Sequence, residues 1–312
     1  MSQVSVIIPC FNAAEWLPQT IESCLLQGSD FLKEVIIVDD GSEDNSREVV
    51  EILIKKHGSH IRWLRNPSKG ANASRNHGLA HATGTYVQWL DADDLLLTGK
   101  FKAQIRALED SEAAIAYSDW MHVKCNADGN EVRTLEVRSG ITDYLEALLR
   151  DRWSANNSYL MTKRCADDLA LAGGWNVNTK VAQDREYFTL AGIRGHVFVY
   201  EAGCFCEYIR RNPESISQMD FHKRSELTLK LTSQLIQKLR DSTALEKGRR
   251  DHYIAILQTQ MLVTHYYFPD LVPPEVIAYK QIFWGDVHPK MRLVMPWIWL
   301  RAKRKNRGLP ST

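Results

Sequence analysis

Short apolar runs alternate with amphipathic stretches over residues 1–120. β-Branched runs fall at 4–8, 34–38, 60–64, 85–90 and 113–117, with helix-like stretches between them at about 14–26, 44–57, 70–82 and 98–110. Strands alternating with helices predict a mostly parallel sheet covered by helices on both faces. Ligands of such sheets bind beyond the carboxyl ends of the strands, so the strand ends are where chemistry is sought. The pattern then loosens. Asn126-Ala127-Asp128-Gly129-Asn130 is a turn signal between two extended stretches and predicts a hairpin. Helices are expected over 142–151 and near 184–193, the second after the break at Gly173-Gly174-Trp175, followed by a strand at 196–200. From about 221 the periodicity is helical throughout, at roughly 222–240, 246–267, 274–283 and 290–304. The division expected is an α/β domain over 1–220 and a helical region over 221–312.

Three predicted strands end in polar segments. Pro9-Cys10-Phe11-Asn12 follows the first, Asp39-Asp40-Gly41-Ser42 the second and Asp91-Ala92-Asp93-Asp94 the fourth. Three carboxylates within four residues repel one another, and a divalent cation relieves the repulsion. Mg²⁺ and Mn²⁺ prefer oxygen ligands and are commonly shared between one or two carboxylates and substrate phosphates. The alternative is a solvated loop with helix-capping aspartates; the neighbouring polar strand ends favour metal. In Asp39-Asp40-Gly41-Ser42 a carboxylate could accept hydrogen bonds from a base or ribose, Gly41 permits a tight turn and Ser42 could cap the following helix.

Lys69-Gly70-Ala71-Asn72-Ala73-Ser74-Arg75 reads as a loop entering a helix. Lys69 or Arg75 could meet phosphate there, or Arg75 could be an ion-pair partner of the aspartates. His77 and His81 share a helix face but lack the intervening Glu of a zinc-protease motif, and are read as surface or packing residues. Asp184, in Gln183-Asp184-Arg185-Glu186, could cap a helix or serve as a general base. Arg210 and Arg211, in Tyr208-Ile209-Arg210-Arg211-Asn212-Pro213-Glu214-Ser215, present planar forks suited to phosphate oxygens.

Composition narrows the field. Of 312 residues, 44% are hydrophobic and 25% charged, so a core can form without disulfide or metal staples. The net charge of +1 gives no argument for nucleic acid as a partner. The six cysteines form no CxxC pair and are read as reduced thiols of a cytoplasmic protein. Met1-Ser2-Gln3 leads directly into the first strand, so no signal peptide is expected. No apolar run reaches the roughly 18 residues a bilayer span needs. Trp297, Trp299 and the basic run Arg301 to Arg307 suggest peripheral membrane contact through 291–307, against the alternative of a packed terminal helix with a solvated tail.

Taken in order, Val4-Ser5-Val6-Ile7-Ile8-Pro9-Cys10-Phe11-Asn12, Val38-Asp39-Asp40-Gly41-Ser42, Ala73-Ser74-Arg75-Asn76-His77-Gly78 and Leu90-Asp91-Ala92-Asp93-Asp94 resemble the family 2 glycosyltransferases, and Gly173-Gly174-Trp175 and Gln183-Asp184 extend the resemblance over about 3–217. The resemblance implies a GT-A fold, with a Rossmann-like nucleotide-binding half, and inverting transfer from a nucleotide-diphosphate sugar. It implies Pro9, Phe11 and Asn12 at the nucleotide, Asp40 at the base (usually uracil), Asp91 and Ala92 at the ribose and sugar, and Asp93 on Mn²⁺ or Mg²⁺. Asp184 matches the family's catalytic base, although Gln183 stands where Glu is usual. The segment with Arg210, Arg211 and Ser215 resembles one that closes over the diphosphate, with Asn212 where His is common. A saccharide or lipid-linked acceptor, in the synthesis of surface polysaccharide or glycolipid, would suit membrane contact. Two alternatives stand beside this reading. A nucleotidyltransferase would carry an early Gly-rich, basic phosphate loop, which 9–18 lacks. A nucleotide-sugar-binding scaffold would not need Asp93 and Asp184 intact.

Overall fold

The computed structural model describes residues 3–125, 130–210, 220–268, 270–272, 282 and 287. The chain begins with β1 (Val4–Cys10), α1 (Leu17–Leu25), β2 (Leu32–Asp39), α2 (Ser46–His57), β3 (Ile61–Arg65), α3 (Ala71–His81) and β4 (Tyr86–Trp89). These strands lie in the order β3-β2-β1-β4, all parallel. The apolar run of β1 divides by strand alternation: Val4, Val6 and Ile8 enter the core under α1, whereas Ile7 enters the core on the opposite face. A strand buried on both faces needs a nearly continuous apolar run, which 4–8 supplies but for Ser5, whose buried hydroxyl donates to Glu34 at 2.8 Å.

α3 lies hard against β1. A Cβ on Gly78 would collide with Ile7 and come within 3.2 Å of Val38. Only glycine allows that approach, and the approach fixes where the first turn of α3 meets the strand ends.

The second half of the sheet is mixed. It contains β5 (Leu95–Leu96), α4 (Lys100–Glu109), β6 (Ile115–Cys125), β7 (Glu131–Glu136), α5 (Tyr144–Leu149), β8 (Leu160–Thr162), α6 (Lys163–Leu171), α7 (Gln183–Ile193) and β9 (Phe198–Arg210). The full order is β3-β2-β1-β4-β8-β6-β9-β5, with β7 on β6. The longest ladders, β6 with β9 and β1 with β2, are parallel; β8 is antiparallel to both β4 and β6, and β5 is antiparallel to β9. The expected hairpin is present as antiparallel β6 and β7. β9 runs well past the predicted 196–200. Its pairing with β6 shifts between Glu201 and Cys204, and this bulge breaks the alternation that would have marked the whole strand.

α8 (Phe221–Asp241) and α9 (Lys247–Tyr267) follow, close to the predicted bounds. They share a core with α5 and α7, built from Leu145, Leu149 and Ile193 against Leu235, Tyr253 and Leu257. Polar ties reinforce it: Tyr253 donates to Asp143 at 2.6 Å, and Gln260 donates to the Leu149 carbonyl at 2.5 Å. The helices thus sit against the element that carries Asp184. The predicted helices at 274–283 and 290–304 fall outside the described residues, apart from Ile282.

Candidate active site

The ends of β1 and β2 are laced together. Asn12 adopts φ 48°, a left-handed conformation that asparagine tolerates better than most residues. Its amide donates to Ser42 Oγ at 3.0 Å and its Oδ1 accepts from the Glu43 amide at 2.8 Å. Ser42 therefore does not cap α2, as the sequence suggested; that helix starts after Asn45, and the hydroxyl is used to hold the β1 end instead. Gly41 makes the expected turn with φ 90°. Pro9 is half-buried in the last turn of β1, and the Phe11 ring beside it is 60% exposed, a large apolar face at a strand end.

Asp40 is held from the next strand along. Its two carboxylate oxygens accept from Asn66 Nδ2 and from the Gly70 amide, each at 2.8 Å, and Lys69 Nζ donates to its carbonyl at 2.9 Å. Each carboxylate oxygen retains lone-pair capacity for a further donor. Asp40, Asn66 and Lys69, with Arg65 and Ser68, line a recess of about 590 Å³. Asn66 was not among the sequence-derived candidates. It is a polar residue just past the end of β3, so the rule that singled out the other three strand ends also applies to it.

Arg75 is buried in the first half of α3. Its guanidinium donates to Asp91 Oδ1 at 2.7 Å and to Asn72 Oδ1 at 2.9 Å, lies 3.4 Å from Gln183 Oε1, and stacks 4.5 Å above the Trp175 ring. Of the two readings the sequence left open for Arg75, the ion pair with an aspartate is the one formed. Lys69, the other phosphate candidate, is exposed at the rim of the recess.

The Asp91–Asp94 segment carries the chain in a few residues from β4 to β5, which joins the sheet beyond β9. The segment is pinned at both ends. Ala92 O accepts from Thr20 Oγ1 at 2.9 Å, and the buried Asp94 accepts from the Ile209 amide at 2.8 Å. Asp94, unassigned from sequence, thus ties the β4 end to the last turn of β9, where Tyr208 and Arg210 sit. Asp91 and Asp93 are half-buried. Among the described residues no three His, Cys, Asp or Glu side chains form a ready-made cation cage. The half-buried carboxylates of Asp91 and Asp93 are hard oxygen donors of the kind that fits Mg²⁺ or Mn²⁺, ions that usually complete their shells with phosphate oxygens and water.

Asp184 opens α7 after Ala182, which itself has φ 51°. Its side chain accepts from the adjacent Arg185 amide at 2.9 Å, and the residue at the cap position is Ala182, so it is not the cap of the helix. Burial pushes its carboxyl above the ordinary value; the like charge of Asp91 pushes the same way, against Arg75 and the Arg185 amide. Arg75, Asp91, Gln183, Asp184 and Tyr208 all face one cavity of about 560 Å³. The structure therefore brings Asp91 and Asp184 to a common space, although they stand 93 positions apart in sequence. Arg211, Ser215 and the 291–307 stretch lie outside the described residues. No helix among the described residues is long and apolar enough to cross a membrane.

The profile of Glycosyl transferase family 2 matches residues 5–167, more than half of the chain. The chain belongs to this family. Among curated relatives, the chain is 32% identical over 148 residues to a glycosyltransferase of Haemophilus influenzae, covering 47% of this chain and 58% of that protein. It is 35% identical over 118 residues to the GalNAc(5)-diNAcBac-PP-undecaprenol beta-1,3-glucosyltransferase of Campylobacter jejuni, covering 37% of each. A glycosyltransferase of Rickettsia felis is 34% identical over 139 residues, 45% of this chain but 22% of that one, so the match spans less than two thirds of these relatives' own length. Among solved structures, S. aureus TarS in complex with UDP-GlcNAc superposes over 99% of this chain and 93% of that one, with TM-score 0.67 and 14% identity. That likeness is one of fold, and it extends through the helices that lie beyond the family match.

Proposed function

We propose that this glycosyltransferase moves a sugar from a UDP-sugar to a hydroxyl of a saccharide or lipid-linked acceptor, with inversion at the anomeric carbon and Asp184 as the base. The observation that carries the reading is the shared cavity: a carboxylate of raised pKa faces the same space as the Asp91 strand end. The Asp40 recess takes the base, with Phe11 as an apolar face and Asn66 holding the Asp40 carboxylate in place. Pro9 and Asn12 line the nucleotide, Asp91 and Ala92 flank the ribose and sugar, and Arg210, with Arg211 and Ser215 beyond it, closes on the diphosphate. Asp93, with Asp91 beside it, would hold Mg²⁺ or Mn²⁺, which when bound neutralises the leaving diphosphate. The UDP-GlcNAc complex of TarS and the undecaprenol-linked substrate of the Campylobacter relative support the donor and acceptor classes.

Asp184 takes the proton of the acceptor hydroxyl as that oxygen forms its bond to the anomeric carbon. The bond from that carbon to the diphosphate breaks on the opposite face, and the electron pair leaves with the diphosphate. Burial helps here: a carboxylate with a raised pKa is a stronger base than a solvated one. The test is Asp184→Asn. The variant should bind UDP-sugar as the parent does, by calorimetry, while transfer falls by about 10²-fold or more. Transfer at the parental rate would remove Asp184 from the chemistry.

A further inference from the structure

The cavity around Asp184 has a second wall, formed by residues past the family match. Lys180, Arg224, Ser225 and Thr228 line it from the loop before α7 and from the first turns of α8. Its charges do not balance among the described residues. Asp91 is paired with Arg75 at 2.7 Å, and Asp151 with Arg185 at 3.4 Å. Arg185 is buried and further occupied by the Leu148 and Leu149 carbonyls, at 2.9 and 2.8 Å. That leaves the Asp184 carboxylate and two cations, Lys180 and Arg224, both exposed to the cavity and neither with an ion pair among the described residues, so the lining carries one more positive than negative charge when Asp184 is ionised.

Two cations set against one carboxylate in a walled space raise the local concentration of anions. The carboxylates of the donor side, Asp91 and Asp93, lie at the β4 end, and the cations lie on the loop and helix beyond the base. The same cavity shows aromatic faces at Trp153 and Tyr208, whose rings are 6.2 Å apart and nearly perpendicular. Such a corner suits the apolar face of a sugar ring, with the Ser225 hydroxyl available to a ring hydroxyl.

Resting on the transferase reading above, we propose that the acceptor is an anionic saccharide, whose phosphate or carboxylate group is held by Lys180 and Arg224 while its ring packs on Trp153 and Tyr208. Specificity for the acceptor then resides in α8, the loop before α7 and the Trp153–Tyr208 corner, and the ends of β1, β2 and β4 serve the donor.

The full chain saturated with UDP would be titrated with glucose 6-phosphate, glucuronate and glucose, with binding read by saturation-transfer NMR and calorimetry. One of the two anionic sugars should bind more tightly than glucose, and which of them does identifies phosphate or carboxylate as the group recognised. In the double variant Lys180→Gln, Arg224→Gln its affinity should fall about tenfold or more, while UDP affinity stays within about twofold, because only the acceptor loses charge-assisted hydrogen bonds. Equal binding of glucose and both anions would overturn the proposal. So would a loss of UDP affinity in step with anion affinity, which would assign the two cations to the donor. Failure of the parent chain to bind UDP would remove the transferase reading, and this one with it; UDP binding without anion preference removes this one alone.

Discussion

Replacing Arg75 by methionine tests the centre of the site through two independent readouts. The guanidinium is 8% exposed and joins Asp91, Asn72 and the Trp175 face. Methionine keeps much of the length and loses all of the donors. Breaking a buried pair costs about 3–5 kcal/mol because the partner charge is left uncompensated. The Asp91 side chain is 34% exposed and can recover part of its hydration, which lowers the expected loss to about 2–3 kcal/mol, including the contact with Trp175. In a chain of this size that corresponds to a fall in Tm of roughly 4–8 °C. The second readout is the pH profile of transfer. Arg75 holds the Asp184 carboxyl down against burial, so its removal should move the acid limb of kcat/KM to higher pH. The sign is fixed: the base must be ionised, and without the nearby cation ionisation requires a higher pH. Differential scanning fluorimetry and a pH–rate series on the same variant measure both. An unchanged Tm together with an unmoved acid limb would refute the assignment of Arg75 as the cation that serves Asp91 and Asp184 jointly.

Three further outcomes follow from the same geometry. Asp184→Asn should stabilise the chain at neutral pH, since a carboxyl whose folded pKa is raised contributes stability that is lost as pH rises through that pKa; the gain should shrink on acidification, as followed by urea melts from pH 7 downward. Gly78→Ala should cost about 1–3 kcal/mol by driving α3 off Ile7 and Val38, and a midpoint equal to the parent's in urea would show that the approach is slack. Lys100 is fully buried beside Gln104, its Nζ donating at 2.5 Å, and burial lowers its pKa to about 8. Its unfolded form still binds the proton up to its ordinary 10.5, so the parent should gain stability relative to Lys100→Met as pH rises from about 8 to 10.5; a constant difference across that range would mean that Lys100 is solvated.

The N-terminal half was legible because one physical requirement shaped it. Strands buried on both faces need continuous apolar runs, and the polar residues that end each run are then forced to the carboxyl edge, where Asp40, Asp91 and Asp93 are found. β5 and β8, of two and three residues, are too short to show any period, and β9 hides half its length behind a bulge. Arg75 illustrates a different limit. Phosphate binding and ion pairing both want an arginine at a helix start, and the choice depends on Asp91, which reaches it from another element. The Lys180 and Arg224 wall was beyond pattern reasoning for the same cause: neither residue belongs to a motif, and their proximity is created by the packing of α8 and α9 on α5 and α7.

Gln183 shows how the site departs from its family pattern without losing its logic. Its Oε1 faces Arg75 at 3.4 Å while its Nε2 donates to the Thr179 carbonyl at 2.9 Å. A glutamate could meet the arginine but could not donate to that carbonyl, because an ionised carboxylate only accepts. It would also set a third carboxylate beside Asp91 and Asp184 and divide the charge of Arg75 among them. The amide leaves the positive charge to Asp91 and Asp184 and uses its other end to hold the loop that carries Lys180. One side chain thereby connects the donor-side ion pair, the proposed base and the start of the proposed acceptor wall.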